Sequence, residues 1–213
     1  MVHKFFFTYS EQERLAVFLP PKTGTMHATF ILNHFNFKTN IYKKDDDDDD
    51  KLISEEDYLI HHHNEIIPKG YEDYDVIYTT RNPYTRLVSM YYHDKNMTEY
   101  ESSYNKTFKQ YFSNRANDGL GNIKRGFNFV KTPKYFIRME HLYEDYIQIP
   151  FMRGSKLNES GILHELCEKK IHTKKQETKS LKEYYTQDMA DHVYESLKPY
   201  FDLNGYDKDS WKI

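Results

Sequence analysis

Residues 14–35 read RLAVFLPPKTGTMHATFILNHF, and this stretch decides the fold class. Residues 14–19 form a short apolar run of the length of a buried strand. PPKTGT follows as a tight polar loop. In the next segment Met26, Phe30 and Ile31 recur at helical spacing, with His34 one turn further on. Strand, loop and helix in that order make one half of an α/β unit.

The same order returns downstream. Asp75 to Thr80 (DVIYTT) is a second strand candidate, and RNPYTRLVSMYYHD follows it. Asn82 can cap a helix and Pro83 suits its first turn. Leu87, Val88, Tyr91 and Tyr92 then give an apolar face. YLIHHH (58–63) and KYFIRM (134–139) read as further strands, and EHLYEDY as a helix. Residues 97–130 are polar, with Gly119, Gly121 and Gly126, and suggest one or two short helices and loops. Residues 159–169 and 183–200 read as helices. In the latter Tyr184, Tyr185, Met189, Val193, Leu197 and Tyr200 share one broad face. Strands alternating with helices predict an α/β fold with a mainly parallel central sheet, helices on both faces, and one domain over 1–213.

Composition bounds the function. The chain has 213 residues, 38% hydrophobic and 16% aromatic, with 20 tyrosines. Tyrosine packs its ring while keeping a hydroxyl for water or ligand. A net charge of −3 argues against a general nucleic-acid binder. Six acids lie in one run at 45–50, and outside it bases slightly outnumber acids, which suits a small polyanion. Residues 42–57 (YKKDDDDDDKLISEED) bury too little apolar surface to order alone. They read as a mobile acidic excursion; their likeness to laboratory epitope sequences leaves an engineered insertion open. The single cysteine, Cys167, excludes an internal disulfide and fits a reducing compartment. Neither a signal segment nor a membrane span is evident, so a cytoplasmic protein is expected.

Two segments carry chemistry. In PPKTGT, backbone N–H groups and a helix N-terminus converge where an anion can sit. Gly24 permits close backbone approach, Lys22 adds charge, and Thr23 and Thr25 add hydroxyl donors. The loop lacks the full GxxxxGK[ST] pattern, and no convincing magnesium-binding Asp ends a strand. A phosphate ligand needing no metal fits better. The structural alternative is an ordinary turn opening a helix. In RNPYTRLVS, Arg81 ends a strand, the usual ligand edge of an open α/β sheet. Ser89 lies about two helical turns into the helix that follows. A guanidinium and a hydroxyl can together grip a phosphate. The alternative is a helix start whose arginines pair with acids, and for Arg86 both readings stay open.

With these segments on the page, the sequence resembles the sulfotransferases that use 3′-phosphoadenosine-5′-phosphosulfate (PAPS). FLPPKTGT is similar to their 5′-phosphosulfate loop and YTTRNPYTRLVSMYY to their 3′-phosphate motif. The motif style resembles the Golgi carbohydrate sulfotransferases, as do YFIRMEHLYEDY and YYTQDMADHVYESLKPYFDLNGYD, in a small soluble microbial or viral version. The resemblance implies a P-loop-like phosphate-binding loop and the sulfotransferase fold. It implies sulfuryl transfer from PAPS to an acceptor hydroxyl on a carbohydrate, leaving 3′-phosphoadenosine-5′-phosphate (PAP), with no metal. Lys22, Thr23, Gly24 and Thr25 would hold the 5′-phosphosulfate; Arg81 and Ser89 would hold the 3′-phosphate. Met26 stands where the family often has a further hydroxyl residue, and Asn204 where an aromatic is usual. Lys174 and Lys175 fall in a region that covers the nucleotide in the family, or form a solvated basic loop.

The transfer needs a base for the acceptor proton. On a strand His61 and His63 share a face. Uronyl 2-O-sulfotransferases carry a similar His-x-His pair, and imidazole titrates near neutrality. His61 or His63 is the expected base, with Glu65 the second candidate; a surface accident, a metal patch or a tag would also give three adjacent histidines. Arg138 and Glu140 read as a buried structural pair, and Cys167 as a core thiol. Two other functions remain in play: a non-catalytic nucleotide-binding module, and a P-loop-like kinase.

Overall fold

The computed structural model describes residues 3–20, 22–44, 70–96, 107–125, 131–169 and 179–213. Their strands are β1 (His3–Ser10), β2 (Leu15–Phe18), β3 (Lys38–Lys44), β4 (Asp75–Thr80) and β5 (Tyr135–Arg138). The helices are α1 (Thr25–Asn33), α2 (Pro83–Asn96), α3 (Phe108–Arg125), α4 (Leu142–Tyr146), α5 (Pro150–Arg153), α6 (Lys156–Glu159), α7 (Ile162–Glu168) and α8 (Gln187–Asn204). Short 3₁₀ turns occupy Leu181–Glu183 and Ser210–Lys212. The chain divides into two compact units, Met1–Thr80 with Asn128–Ile171, and Arg81–Phe127 with His172–Ile213.

All five described strands lie in the first unit, in the order β3-β1-β2-β4-β5. β2, β4 and β5 run parallel, Ala16 facing Val76 and Tyr78 facing Phe136. β1 is antiparallel to both β2 and β3. The sheet is therefore mixed, which corrects the expectation of a mainly parallel one. The cause is local. Residues 11–14 turn β1 straight back into β2, with Arg14 in the left-handed region at φ 50°. A turn that short can join only antiparallel strands; parallel neighbours need a crossover of about a dozen residues.

Leu15, Val17, Ile77 and Ile137 line one face and cluster with Ile31 and Leu32 of α1, Tyr146 of α4 and Leu163 of α7. Phe18, Val76 and Tyr78 cluster on the other face. Residues buried on both faces explain why β2 and β4 read as continuous apolar runs. Complete burial of Val76, Ile77 and Tyr78 stabilises the sheet by roughly 1.5–3 kcal/mol per side chain before entropy is counted. β1 and β3 carry no such signal. HKFFFTYS is one short apolar run, and KTNIYKK holds two apolar residues among lysines. Among the described strands β3 stands at one end of the sheet. Residues 42–44 of the expected acidic excursion belong to β3; its remainder, 45–57, and the YLIHHH segment lie outside the described residues.

The second unit has its own core. Leu87 and Tyr91 of α2, Tyr111 and Ile123 of α3, and Val193, Leu197 and Phe201 of α8 share one cluster. Tyr91 meets Phe108 and Tyr111, and Phe108 meets Tyr185, edge to face at ring separations of 5.1–5.5 Å, as the aromatic quadrupole prefers. The short helices expected over 97–130 are, where described, one helix of 18 residues, α3. It runs through Gly119 because that glycine lies against α2: a Cβ there would come within 2.8 Å of Leu87 Cδ2. α8 begins at Gln187, behind the Thr186 cap, and continues past the expected end at Tyr200 to Asn204. Pro199 lies inside it, and the backbone kinks at Leu197, as a proline that removes an N–H and crowds the preceding turn requires. No helix among the described residues is long and apolar enough to cross a membrane.

Candidate anion site and arginine motif

The expected phosphate loop leaves β2 and enters α1 within the first unit. Thr23 donates its backbone N–H to the Pro20 carbonyl at 3.3 Å, closing a turn. The Thr23 hydroxyl also donates to Pro20 O at 2.6 Å and lies 2.8 Å from Thr79 Oγ1 on β4. Thr79 Oγ1 reaches Phe18 O at 3.3 Å. Thr23 is fully buried, so its hydroxyl is spent on bolting the loop to the end of β4. Thr79 is the partner that sequence reading missed; a threonine in a strand carries no mark of that task.

Two residues of this loop stand in the left-handed region: Lys22 at φ 66° and Gly24 at φ 73°. Gly24 adopts it at no steric cost. Lysine does not, and such strain at a loop tip marks a place where the surrounding structure holds the backbone. Gly24 is also the N-cap of α1, and no side chain caps the helix. The N–H groups of Thr25, Met26 and His27 therefore start the helix without carbonyls of their own turn to bond. The first turn holds no acid, so the partial positive charge there is not neutralised by the helix itself. Thr25 is half-buried, its hydroxyl 3.4 Å from Pro20 O. Met26 is 64% exposed. His27 donates Nε2–H to Leu166 O at 2.8 Å, tying α1 to α7. Met139, just after β5, packs its thioether against Gly24; a Cβ at position 24 would overlap Sδ and Cε. Glycine suits position 24 through its φ of 73°, and a side chain there would also have to push the flexible Met139 thioether aside.

α1 also ends in a defined way. Asn36 takes the left-handed conformation at φ 59°, while Phe37 N–H bonds Leu32 O at 3.2 Å and Asn36 N–H bonds Asn33 O at 3.2 Å. This is a Schellman closure, and Phe37 and Leu32 pack in the same cluster.

The arginine motif belongs to the second unit. Asn82 caps α2 as expected, its Oδ1 accepting from the Tyr84 N–H at 2.9 Å, and its Nδ2 donates to Ser210 Oγ at 2.7 Å. Arg81 is half-buried. Its Nε–H donates to Thr85 Oγ1 at 3.1 Å, and Thr85 donates onward to Asn82 O at 2.9 Å. The Arg81 N–H donates to the Tyr200 hydroxyl at 3.3 Å, and that hydroxyl donates to Arg81 O at 3.2 Å. Ser89 is half-buried on α2, and Arg86 is completely buried. Below the motif, Tyr84 donates to Lys208 O at 2.8 Å and Tyr185 to Tyr84 O at 2.9 Å. Burial pushes both phenols well above their ordinary range, with Asp191 adding to the shift of Tyr84, so both stay protonated donors at neutral pH.

Arg138 is gripped by Asp145, with Nε at 2.9 Å from Oδ2 and Nη2 at 2.6 Å from Oδ1; Asp145 Oδ2 also accepts the Arg138 N–H at 2.8 Å. Glu140 is exposed and Arg138 only half-buried, so the Arg138–Glu140 pair expected to be buried is not; Asp145 is a carboxylate partner of Arg138. His61, His63, Glu65, Lys174 and Lys175 lie outside the described residues. Among the described residues no group of three or more His, Cys, Asp or Glu is placed to hold a metal ion.

Together these features define, over the described residues, an open α/β arrangement with a mixed five-stranded sheet. No protein-family model, curated protein or solved structure matches the chain.

Proposed function

We propose that this chain is a PAPS-dependent sulfotransferase whose acceptor is a carbohydrate hydroxyl. The observation that supports it most is the loop after β2: an uncapped helix start, free of acids in its first turn, reached through Lys22 and Gly24 in left-handed conformations. That arrangement favours a phosphate-like anion. In this reading the loop acts as a P-loop-like cradle. Lys22, Gly24, Thr25 and the N–H of Met26 hold the 5′-phosphosulfate, and Thr23 holds the loop in shape. Arg81 and Ser89 hold the 3′-phosphate.

The reaction moves one sulfuryl group. The acceptor oxygen attacks sulfur as the bond from sulfur to the 5′-phosphate oxygen breaks, and the departing phosphate keeps the electron pair as PAP. The acceptor proton passes to a base, His61 or His63, with Glu65 the other candidate. Lys22 and the helix N–H groups stabilise charge growing on the leaving phosphate. Removing one such donor costs roughly 10²–10³ in rate.

Calorimetry with PAP, with Mg-ATP and with buffer tests this. The expected result is metal-independent binding of PAP, followed by transfer of labelled sulfate from PAPS to members of a glycan panel. Preference for Mg-ATP over PAP would overturn it.

A further inference from the structure

We propose that Tyr200 is a positioning residue for Arg81, setting the direction from which its guanidinium meets the 3′-phosphate of the nucleotide. This rests on reading Arg81 as the ligand of that phosphate.

In an antiparallel ladder one residue exchanges both its N–H and its C=O with a single facing residue. At Arg81 a side chain does that work. The Tyr200 hydroxyl accepts the Arg81 N–H at 3.3 Å and donates to the Arg81 C=O at 3.2 Å. One oxygen therefore restrains φ and ψ together at the residue that bears the guanidinium, and with them the direction of its Cα–Cβ bond. Thr85 sets the rest of the side chain by accepting from Nε at 3.1 Å.

Tyr200 is itself immobilised. It is 1% exposed, and its ring stacks on Tyr206 with 13° between planes. Asn204 Nδ2 donates to its carbonyl at 2.8 Å, one turn before Gly205 closes α8. Tyr185 offers a comparison within the same core. It is also buried, but its hydroxyl serves one carbonyl, that of Tyr84. Tyr185 supports the helix; Tyr200 supports the arginine.

The test measures affinities for PAP and for adenosine 5′-monophosphate, which lacks the 3′-phosphate, in four proteins. The unmodified chain is expected to prefer PAP. Tyr200→Phe is expected to lose about tenfold of its PAP affinity, the worth of one hydrogen bond to a misplaced charge, with affinity for the monophosphate unchanged. Thr85→Val should show the same selective loss. Tyr185→Phe should lower Tm and leave the ratio of affinities intact. Hydrogen exchange in the unmodified chain gives a readout independent of any variant: the Arg81 amide is expected to be protected, and PAP, unlike the monophosphate, to protect it further. A wild-type preference that survives intact in Tyr200→Phe, or an unprotected Arg81 amide, overturns the role of Tyr200 alone. A wild type that binds both nucleotides equally overturns the reading of Arg81, and the role of Tyr200 with it.

Discussion

Lys22 spends conformational energy that a glycine would not. A non-glycine residue in the left-handed region costs about 1 kcal/mol. Lys22→Gly is therefore expected to match or exceed the parent in urea denaturation, by up to about 1 kcal/mol, while turnover falls roughly 10²–10³-fold. A variant that loses stability along with activity would show the lysine to be structural. Cys167 makes a second prediction. Burial, with Glu144 and Glu168 nearby, pushes its thiol up to about 12. The unfolded thiol titrates near 8.5. A raised folded value favours the neutral form, so the associated stability is complete below about pH 8.5 and is lost as pH rises towards 12. Tm should fall between pH 8.5 and 10, and the slope should flatten in Cys167→Ala. Above pH 10 the raised phenols of Tyr84, Tyr146 and Tyr185 act in the same direction.

Among the elements, α3 carries the sharpest contrast. Gly121 has open space where a Cβ would stand, whereas Gly119 faces Leu87 Cδ2 at 2.8 Å, and Leu87 is buried. Gly121→Ala should stabilise the protein by about 0.5–1 kcal/mol through helix propensity alone. Gly119→Ala gains the same propensity but forces Leu87 aside, at a cost of about 1–3 kcal/mol, so its Tm should drop. The β5–α4 corner depends on one carboxylate that accepts three hydrogen bonds from Arg138. Asp145→Ala should cost about 2–3 kcal/mol, because it removes a charged acceptor shared by the backbone and the partly buried guanidinium of Arg138. A loss within the range of surface ion pairs, below about 1 kcal/mol, would show that water replaces Asp145 freely. At this scale the legible elements were those with internal signals. β2 and β4 announced themselves by continuous burial, and α2 by its Asn-Pro start. α3 was hidden because glycine and polar residues lower helix propensity, and only the tight approach to α2 explains Gly119.

For the molecule as a whole, ligand linkage gives the widest test. A ligand that binds only the folded chain stabilises it by about 2.7 kcal/mol at one hundred times its Kd. PAP should raise Tm accordingly without magnesium, and the increment should shrink in Arg81→Ala. The two compact units each have an apolar cluster of their own, so core truncations such as Ile77→Ala and Val193→Ala should each cost about 2–5 kcal/mol.

Local chemistry alone determined where β2, α1, β4 and α2 lie, and that Asn82 and Pro83 open α2. Each of these follows from a few adjacent residues whose burial pattern, φ preference or capping ability is intrinsic. Tertiary structure decided the rest. β1 and β3 exist because each finds the other's backbone, the sheet is mixed because a four-residue turn comes before β2, and Thr23 meets Thr79 only in the folded sheet. Tyr200 reaches Arg81 across 119 residues of chain, and Asp145 pairs with Arg138. A hydrogen bond between distant residues leaves no periodicity and no spacing in the sequence; it is defined only when packing brings the two groups within about 3 Å.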